Sequence, residues 1–482
     1  MNIFDIIRQE TEAIRSRTAV IEGGESVTYS GLISSAELLA DSLRQKGVSR
    51  LHKVGLLCDD SIDYITASLA ILSLSAAIVP ISPEQSPEEI ETVIDRIDVD
   101  YILAEPRMRP GWNGDTLQSK GLFKKEFLIV KRTTRERPKP EYFRMNPAFI
   151  RFSSGTTGTS KGVVLSHEAI VERTDAADRG LRVTEKDTVL WVLSMSFHFV
   201  VTILLFLRRG ATIILCGRRF PESIVRGIKE HHGTFIYASP FHYSLLSRSD
   251  ALTKDDLREI RVAVSTAMKL PPQAAEDFFL KFGFELTEAY GIIEVGLPFV
   301  RLSGGEDKRG SVGKPLPDFE IKLDNKDKEG VGEIRIRGKG MLDAYYSPWQ
   351  SRDDILVDGW FRTGDLGWID RDGFLFIVGR GKDVVNFVGM KVFPQEVEDV
   401  LNRHPLVKES LVYGAPHPVY GQLPVASIVL KGGEKPDLND LRRFCYQHLA
   451  QYKVPKEFEL VDSLPKTASG KIKRSPNVHS PS

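Results

Sequence analysis

Between Ser153 and Gly162 the chain runs Ser-Ser-Gly-Thr-Thr-Gly-Thr-Ser-Lys-Gly, directly after the apolar stretch Ala148 to Phe152. Glycines let a backbone turn so that successive N–H groups point inward, hydroxyls add donors, and a lysine sets positive charge against a polyphosphate. The segment is a candidate phosphate cradle. It is not a Walker loop, because Ser160 rather than glycine precedes Lys161 and Gly162 rather than Ser or Thr follows it. On composition alone it is equally a flexible loop, so the assignment depends on what else the chain carries.

Three later segments add chemistry. In Phe361-Arg362-Thr363-Gly364-Asp365-Leu366 an acid follows a glycine turn, where its carboxylate could accept both hydroxyls of a ribose. Gly379-Arg380-Gly381-Lys382-Asp383 offers an arginine fork able to reach ribose or phosphate. Pro465-Lys466-Thr467-Ala468-Ser469-Gly470-Lys471-Ile472-Lys473-Arg474 sets a lysine behind a Ser-Gly turn. Each has a plain structural reading as a turn, a linker or a basic tail.

The elements that must position these residues change character along the chain. From Val54 to Thr266 short apolar runs alternate with helix-like stretches, the pattern of parallel sheets covered by helices. Strands are predicted at Val54 to Cys58, Ala77 to Ile81, Tyr101 to Ala104, Phe127 to Val130, Ala211 to Cys216, Thr234 to Ala238 and Arg261 to Val264. Helices are predicted after Ser61, Ser86, Ser166, Pro221 and Pro271. Beyond Gly310 the period drops to two at Phe319 to Leu323 and Glu333 to Arg337, with a hairpin signal at Asp370 to Gly373. The last hundred or so residues mix short strands with helices at Gln395 to Arg403 and Leu438 to Ala450. The fold class expected is α/β: a large N-terminal domain of doubly wound, mostly parallel sheets with a small antiparallel β part, residues 1–381, and a small mobile α+β C-terminal domain, residues 382–482.

The 482 residues carry 65 Lys+Arg and 65 Asp+Glu, so overall charge makes no case for a nucleic acid partner. Cys58, Cys216 and Cys445 show neither disulfide nor metal spacing, and the N-terminus offers no signal-peptide core, so a cytoplasmic location is expected. Val189 to Leu207 is apolar enough to be mistaken for a membrane span, but Ser194, Ser196, His198 and Thr202 interrupt it; a buried strand leading through a pocket-lining turn into a buried helix is expected, with no membrane span.

In this order, the cradle, Tyr290-Gly291-Ile292-Ile293-Glu294, FRTGDL, GRGKD and PKTASGKIKR resemble the adenylate-forming superfamily: acyl- and aryl-CoA synthetases, adenylation domains of peptide synthetases, and firefly luciferase. The resemblance runs from Val27-Thr28-Tyr29 to Arg474. It implies an ATP-dependent carboxylic acid–thiol ligase that forms an acyl-adenylate and pyrophosphate, then passes the acyl group to a thiol. By this resemblance Ser153, Ser154, Gly155, Thr156, Thr157, Gly158, Thr159 and Lys161 hold the β- and γ-phosphates, and Thr156 and Glu294 hold Mg²⁺. Tyr290 stacks on adenine, Asp365 binds the ribose hydroxyls, and Arg380 contacts ribose or phosphate. Lys471 bridges the attacking carboxylate and the α-phosphate, Lys382 is the pivot of the small domain, and Gly389 lies beside the pantetheine tunnel.

Departures from the family pattern are informative. Ile293 stands where a threonine is usual, and Thr266 and Met268 lie where small glycines usually border the acyl pocket. His198, not an aspartate, follows Phe197, which argues against a free α-amino acid, and His198 matches a histidine near the carboxylate and thiol tunnel. Trp191, Phe197, Phe199, Phe241, His242, Ile293 and Val295 imply an apolar or aromatic acid, with no charged residue expected at the pocket. The Phe393 to Glu398 segment favours CoA as acceptor; the phosphopantetheine arm of a separate carrier protein is the alternative, and a degenerate nucleotide-binding scaffold a further one.

Overall fold

The computed structural model describes residues 1–108, 111–117, 125–133, 138–152, 161–217, 219–301, 308–388, 390–418, 420–432, 437–467 and 471–474. The cradle residues Ser153, Ser154, Gly155, Thr156, Thr157, Gly158 and Thr159, and Gly389, lie outside them.

Runs such as Lys53–Leu57 and Ala77–Ile81 are buried along their whole length, as strands covered on both faces must be. They pair in parallel with each other, with Tyr101–Ala104 and with Pro147–Phe152 at the centre of a nine-stranded sheet. An eight-stranded sheet has a parallel centre as well, Thr188–Trp191, Thr212–Leu215, Phe235–Ala238 and Val262–Ser265, extended by Thr287–Ile292 and closed by antiparallel Gly296–Val300. The predicted helix starts are all N-cap positions. Ser61, Ser86 and Ser166 accept hydrogen bonds from the backbone N–H of Tyr64, Glu89 and Ala169, and Pro221 and Pro271 precede their helices.

The nine-stranded sheet is less parallel than the alternating pattern implies. Phe127–Lys131 runs antiparallel to Tyr101–Ala104, and Gly162–Ser166 antiparallel to Pro147–Phe152. The segment joining the latter two is too short for a crossover helix, so the chain must double back. A third sheet of four antiparallel strands holds Phe319–Asp324, Gly332–Gly338, Phe361–Ile369 and Leu375–Arg380. From Val385 onward the chain builds a fourth sheet around its own core, with Val397, Leu401, Val412, Ile428 and Leu441 at its centre. The apolar stretch after Val189 is strand Thr188–Trp191, then helix Met195–His198, a π-helical turn Phe199–Ile203 and helix Leu204–Arg208. Among the described residues no helix is long and apolar enough to cross a membrane.

Candidate active site

The Asp370 to Gly373 turn folds Phe361–Ile369 back on Leu375–Arg380, and the register sets Asp365 directly opposite Arg380. Gly364, at φ +72°, supplies the left-handed step just before Asp365 that an L side chain resists. Asp365 is 5% exposed; Arg380 Nε lies 3.0 Å from its Oδ1, and the Tyr290 hydroxyl donates to its Oδ2. Burial pushes the Asp365 carboxyl up, and the Arg380 guanidinium pulls it back. Each carboxylate oxygen has two acceptor sites, so both keep one for a ribose hydroxyl. Tyr290 sits on strand Thr287–Ile292 with its ring tilted against Phe299 at 5.9 Å.

That strand turns tightly into Gly296–Val300, with the Val295 N–H donating to the Ile292 carbonyl at 3.1 Å. A Cβ on Gly291 would stand 2.2 Å from the Gly296 carbonyl oxygen, so only glycine permits the turn. The turn carries Ile293 and Glu294. Arg173, wholly buried, braces it by donating to the Ile293 carbonyl at 3.1 Å while its Nε and Nη2 reach the Gly340 carbonyl at 2.9 and 2.6 Å. The Glu294 carboxylate accepts from the Tyr345 hydroxyl at 3.4 Å, and burial raises its pKa. Lys161 Nζ lies 4.5 Å from the Tyr345 ring centroid and donates to Gln350 at 2.9 Å. Strand Ala344–Tyr345 pairs with Gly162–Ser166, which brings the cradle lysine and Glu294 to the same tyrosine. Glu294 offers the hard oxygen donor that Mg²⁺ takes; among the described residues no group of three or more His, Cys, Asp or Glu side chains converges to hold a metal.

On the acyl side, the Asp60 carboxylate accepts from the Met195 N–H at 3.0 and 3.1 Å, capping the short helix that carries Phe197 and His198. Trp191 is buried, stacked on Tyr237 at 5.4 Å and edge-on to His198 at 6.3 Å. Val295 and Thr266 are also buried, whereas Met268 and Phe241 are 40% and 61% exposed. The structure thus sets Trp191 against His198 and leaves Met268 and Phe241 at the surface. The expectation that no charge faces this pocket is corrected by Arg151. Its guanidinium lies 5.4 Å from the Phe197 ring centroid and donates to the Phe197 carbonyl. The signal was in the sequence: Arg151 is the one charged residue in Ala148 to Phe152.

Lys471 closes the site from the C-terminal part of the chain. Its N–H donates to Thr467 Oγ1 at 3.1 Å, the Thr467 N–H donates to the Lys471 carbonyl at 2.7 Å, and Lys466 pairs with Ile472. Arg474 anchors this hairpin through the buried Glu398 carboxylate and the Val412 carbonyl. The Lys471 side chain keeps solvent-accessible surface but lies in a crowded cleft, where burial, then Arg151 and Arg380, lower its pKa to about 8. His198 is pushed down to about 3 by burial, then by Arg151 and Lys471. Lys382 follows Arg380 in the exposed turn Gly381–Asp383.

Comparison with known proteins places the family. The family model described as AMP-binding enzyme matches residues 8–346, and that described as AMP-binding enzyme C-terminal domain matches residues 396–471. A long-chain-fatty-acid–CoA ligase of Yersinia pestis is 29% identical, covering 96% of this chain and 92% of its own. A sulfoacetate–CoA ligase of Cupriavidus necator is 33% identical over 68% of this chain and 66% of its own. ATP-bound MatB from Rhodopseudomonas palustris shares the fold, with a TM-score of 0.86 at 24% identity over 98% of this chain and 97% of its own. Together the two family-model matches cover most of the sequence: the chain belongs to the AMP-binding, adenylate-forming enzyme family.

Proposed function

We propose that this enzyme is an AMP-forming carboxylic acid–thiol ligase that uses ATP, accepts an apolar or aromatic acid and transfers the acyl group to CoA. The observation that carries the reading is the convergence of Lys471 on Arg151, Arg380, Asp365 and His198, groups supplied by four separate segments. The first step must bring a carboxylate against a polyanion, so catalysis is mostly positioning and cationic stabilisation. Asp365 and Tyr290 hold the nucleoside, Lys161 and the cradle hold the outer phosphates, and Glu294 with Thr156 would hold Mg²⁺. The bound ion supplies neutralising charge on the phosphates. A carboxylate oxygen attacks the α-phosphorus and the bond to the β-phosphate oxygen breaks, releasing pyrophosphate, while Lys471 steadies the charge on the attacking and α-phosphate oxygens.

In the second step the thiol gives up its proton to water, its sulfur attacks the acyl carbon, and the bond from that carbon to the phosphate oxygen breaks with AMP as the leaving group. His198, neutral at physiological pH, borders that path as a hydrogen-bonding group and not as a cation. We assign residues 1–381 to ATP and acid binding and 382–482 to a small domain that presents Lys471 for the first step and rotates about Lys382 for the second. The apolar and aromatic side chains Trp191, Phe197 and Val295, with Trp191 edge-on to His198, support an apolar or aromatic acyl group.

The test is mass-spectrometric detection of acyl-AMP and acyl-CoA after incubating the protein with ATP, Mg²⁺ and a panel of aliphatic, aromatic and amino acids, with and without CoA. Acyl-CoA from an apolar or aromatic acid is expected. Adenylate that never passes to CoA would replace CoA with a carrier protein as acceptor, and no adenylate from any acid would contradict the reading.

A further inference from the structure

Arg151 occupies the last turn of strand Pro147–Phe152, immediately before the phosphate cradle. One of its donors reaches the Phe197 carbonyl, and the guanidinium lies over the Phe197 ring. Nε is fully enclosed and has no hydrogen-bond partner among the described residues. An arginine whose work is to brace Phe197 would have its enclosed donors satisfied, since a buried unpaired N–H is costly. The Nε side of the fork is therefore a site for an acceptor, and a guanidinium selects carboxylate or phosphoryl oxygens.

The surroundings say which anion. The charges of Arg151 and Lys471 both act on His198, and that of Arg151 acts on Lys471, while Trp191 packs edge-on to His198 and Arg151 holds the neighbouring Phe197 carbonyl. Arg380 spends its charge on Asp365, and Lys161 is turned to Gln350 and Tyr345. Among the described residues no carboxylate hydrogen-bonds the Arg151 guanidinium, and Glu294 acts on it through space. Phe197 and His198, which line the acyl side, are its immediate neighbours.

We propose that Arg151 binds the reacting carboxylate of the acid and turns one oxygen towards the α-phosphorus, sharing that anion with Lys471. The inference rests on the ligase reading above and deepens it. Arg151 moves no proton: the carboxylate arrives ionised, its oxygen forms the new bond to phosphorus, and the electron pair of the broken bond leaves with pyrophosphate. A guanidinium stays charged where a lysine with lowered pKa is partly neutral, so the carboxylate stays bound across the working pH range. Once the acyl-adenylate has formed, the carboxylate charge is gone and the contact loses its strength. The residue therefore serves the first half-reaction.

The experiment compares wild type with Arg151→Gln and Arg151→Lys in acid-dependent ATP–pyrophosphate exchange and in thiol transfer from supplied acyl-adenylate. Arg151→Gln is expected to lose about 10²-fold in kcat/KM for exchange, the scale of removing one preorganised donor. The loss should fall on KM for the acid and not on KM for ATP, be alike for every acid accepted, and leave thiol transfer unchanged. Removing a positive charge beside Lys471, whose other charged neighbours are Arg380 and Asp365, should also move the alkaline limb of the exchange profile to higher pH. Arg151→Lys keeps a cation and should fall between the two, and it carries the test if the Gln variant fails to fold. Unchanged exchange, equal losses in both half-reactions with a lower melting temperature, or a loss confined to acids with a second anionic group would each overturn the assignment. Absence of exchange in wild type with any acid would instead remove the ligase reading itself.

Discussion

In the proposed reaction Lys471, its pKa lowered to about 8, acts as a cation and His198, its pKa lowered to about 3, as a neutral group. Lysine is a cation below its pKa, so adenylation, which in the proposed mechanism uses that cation, should weaken as pH rises through about 8. The kcat/KM profile of the exchange reaction, which reports the free enzyme, should show that alkaline limb and no histidine inflection between pH 5 and 8. An inflection near 6.5 that disappears in His198→Asn would show that His198 titrates in the working range and contradict its assignment as a neutral group. Asp365, Arg380 and Lys471 were legible in the sequence because each sits in a short motif whose spacing the local turn dictates. Arg173 and Tyr345 were not, because they reach the Ile293–Glu294 turn from segments far away in the chain. Arg151 hid inside a strand that reads as apolar.

Hairpins, more than helices, set the geometry of this site. The Asp365–Arg380 pair follows from one turn and one register, and the Pro465 to Lys473 hairpin aims Lys471 because Arg474 is tied to Glu398. Glu398→Gln leaves Arg474 buried beside an uncharged partner, and breaking such a pair costs about 3–5 kcal/mol of local stability. A hairpin displaced by even 1 Å is expected to cost about 10²-fold in adenylation, with thiol transfer spared. Measuring the two half-reactions separately checks this, and equal losses in both would assign Glu398 to the integrity of the C-terminal core instead. Helix starts were readable from Ser and Pro punctuation, and central strands from unbroken apolar runs. The antiparallel half of the nine-stranded sheet was not, since alternation of apolar runs records that strands exist and not which way each pairs. The π-helical turn behind His198 leaves no mark in the sequence either, because its residues are as apolar as those of the helix that follows.

At the scale of the molecule, the C-terminal part has a hydrophobic core separate from the main one. Lys269 and Asp399 bridge the two parts at 2.7 Å, and a small apolar cluster of Val331, Val384 and Phe393, with Leu366 and Val378 against it, lies where the third sheet meets the C-terminal part. A contact of this kind permits relative motion, in keeping with the proposed rotation of the C-terminal part between the two steps. The central claim is that the arrangement described is the one that forms the adenylate, with Lys471 as its agent. The most direct test measures Lys471→Ala in both half-reactions: acyl-adenylate formation from acid and ATP, and thiol transfer from supplied acyl-adenylate. The account predicts a loss of at least about 10²-fold in the first and near wild-type rates in the second. Equal losses in both, or a first step that survives, would contradict it.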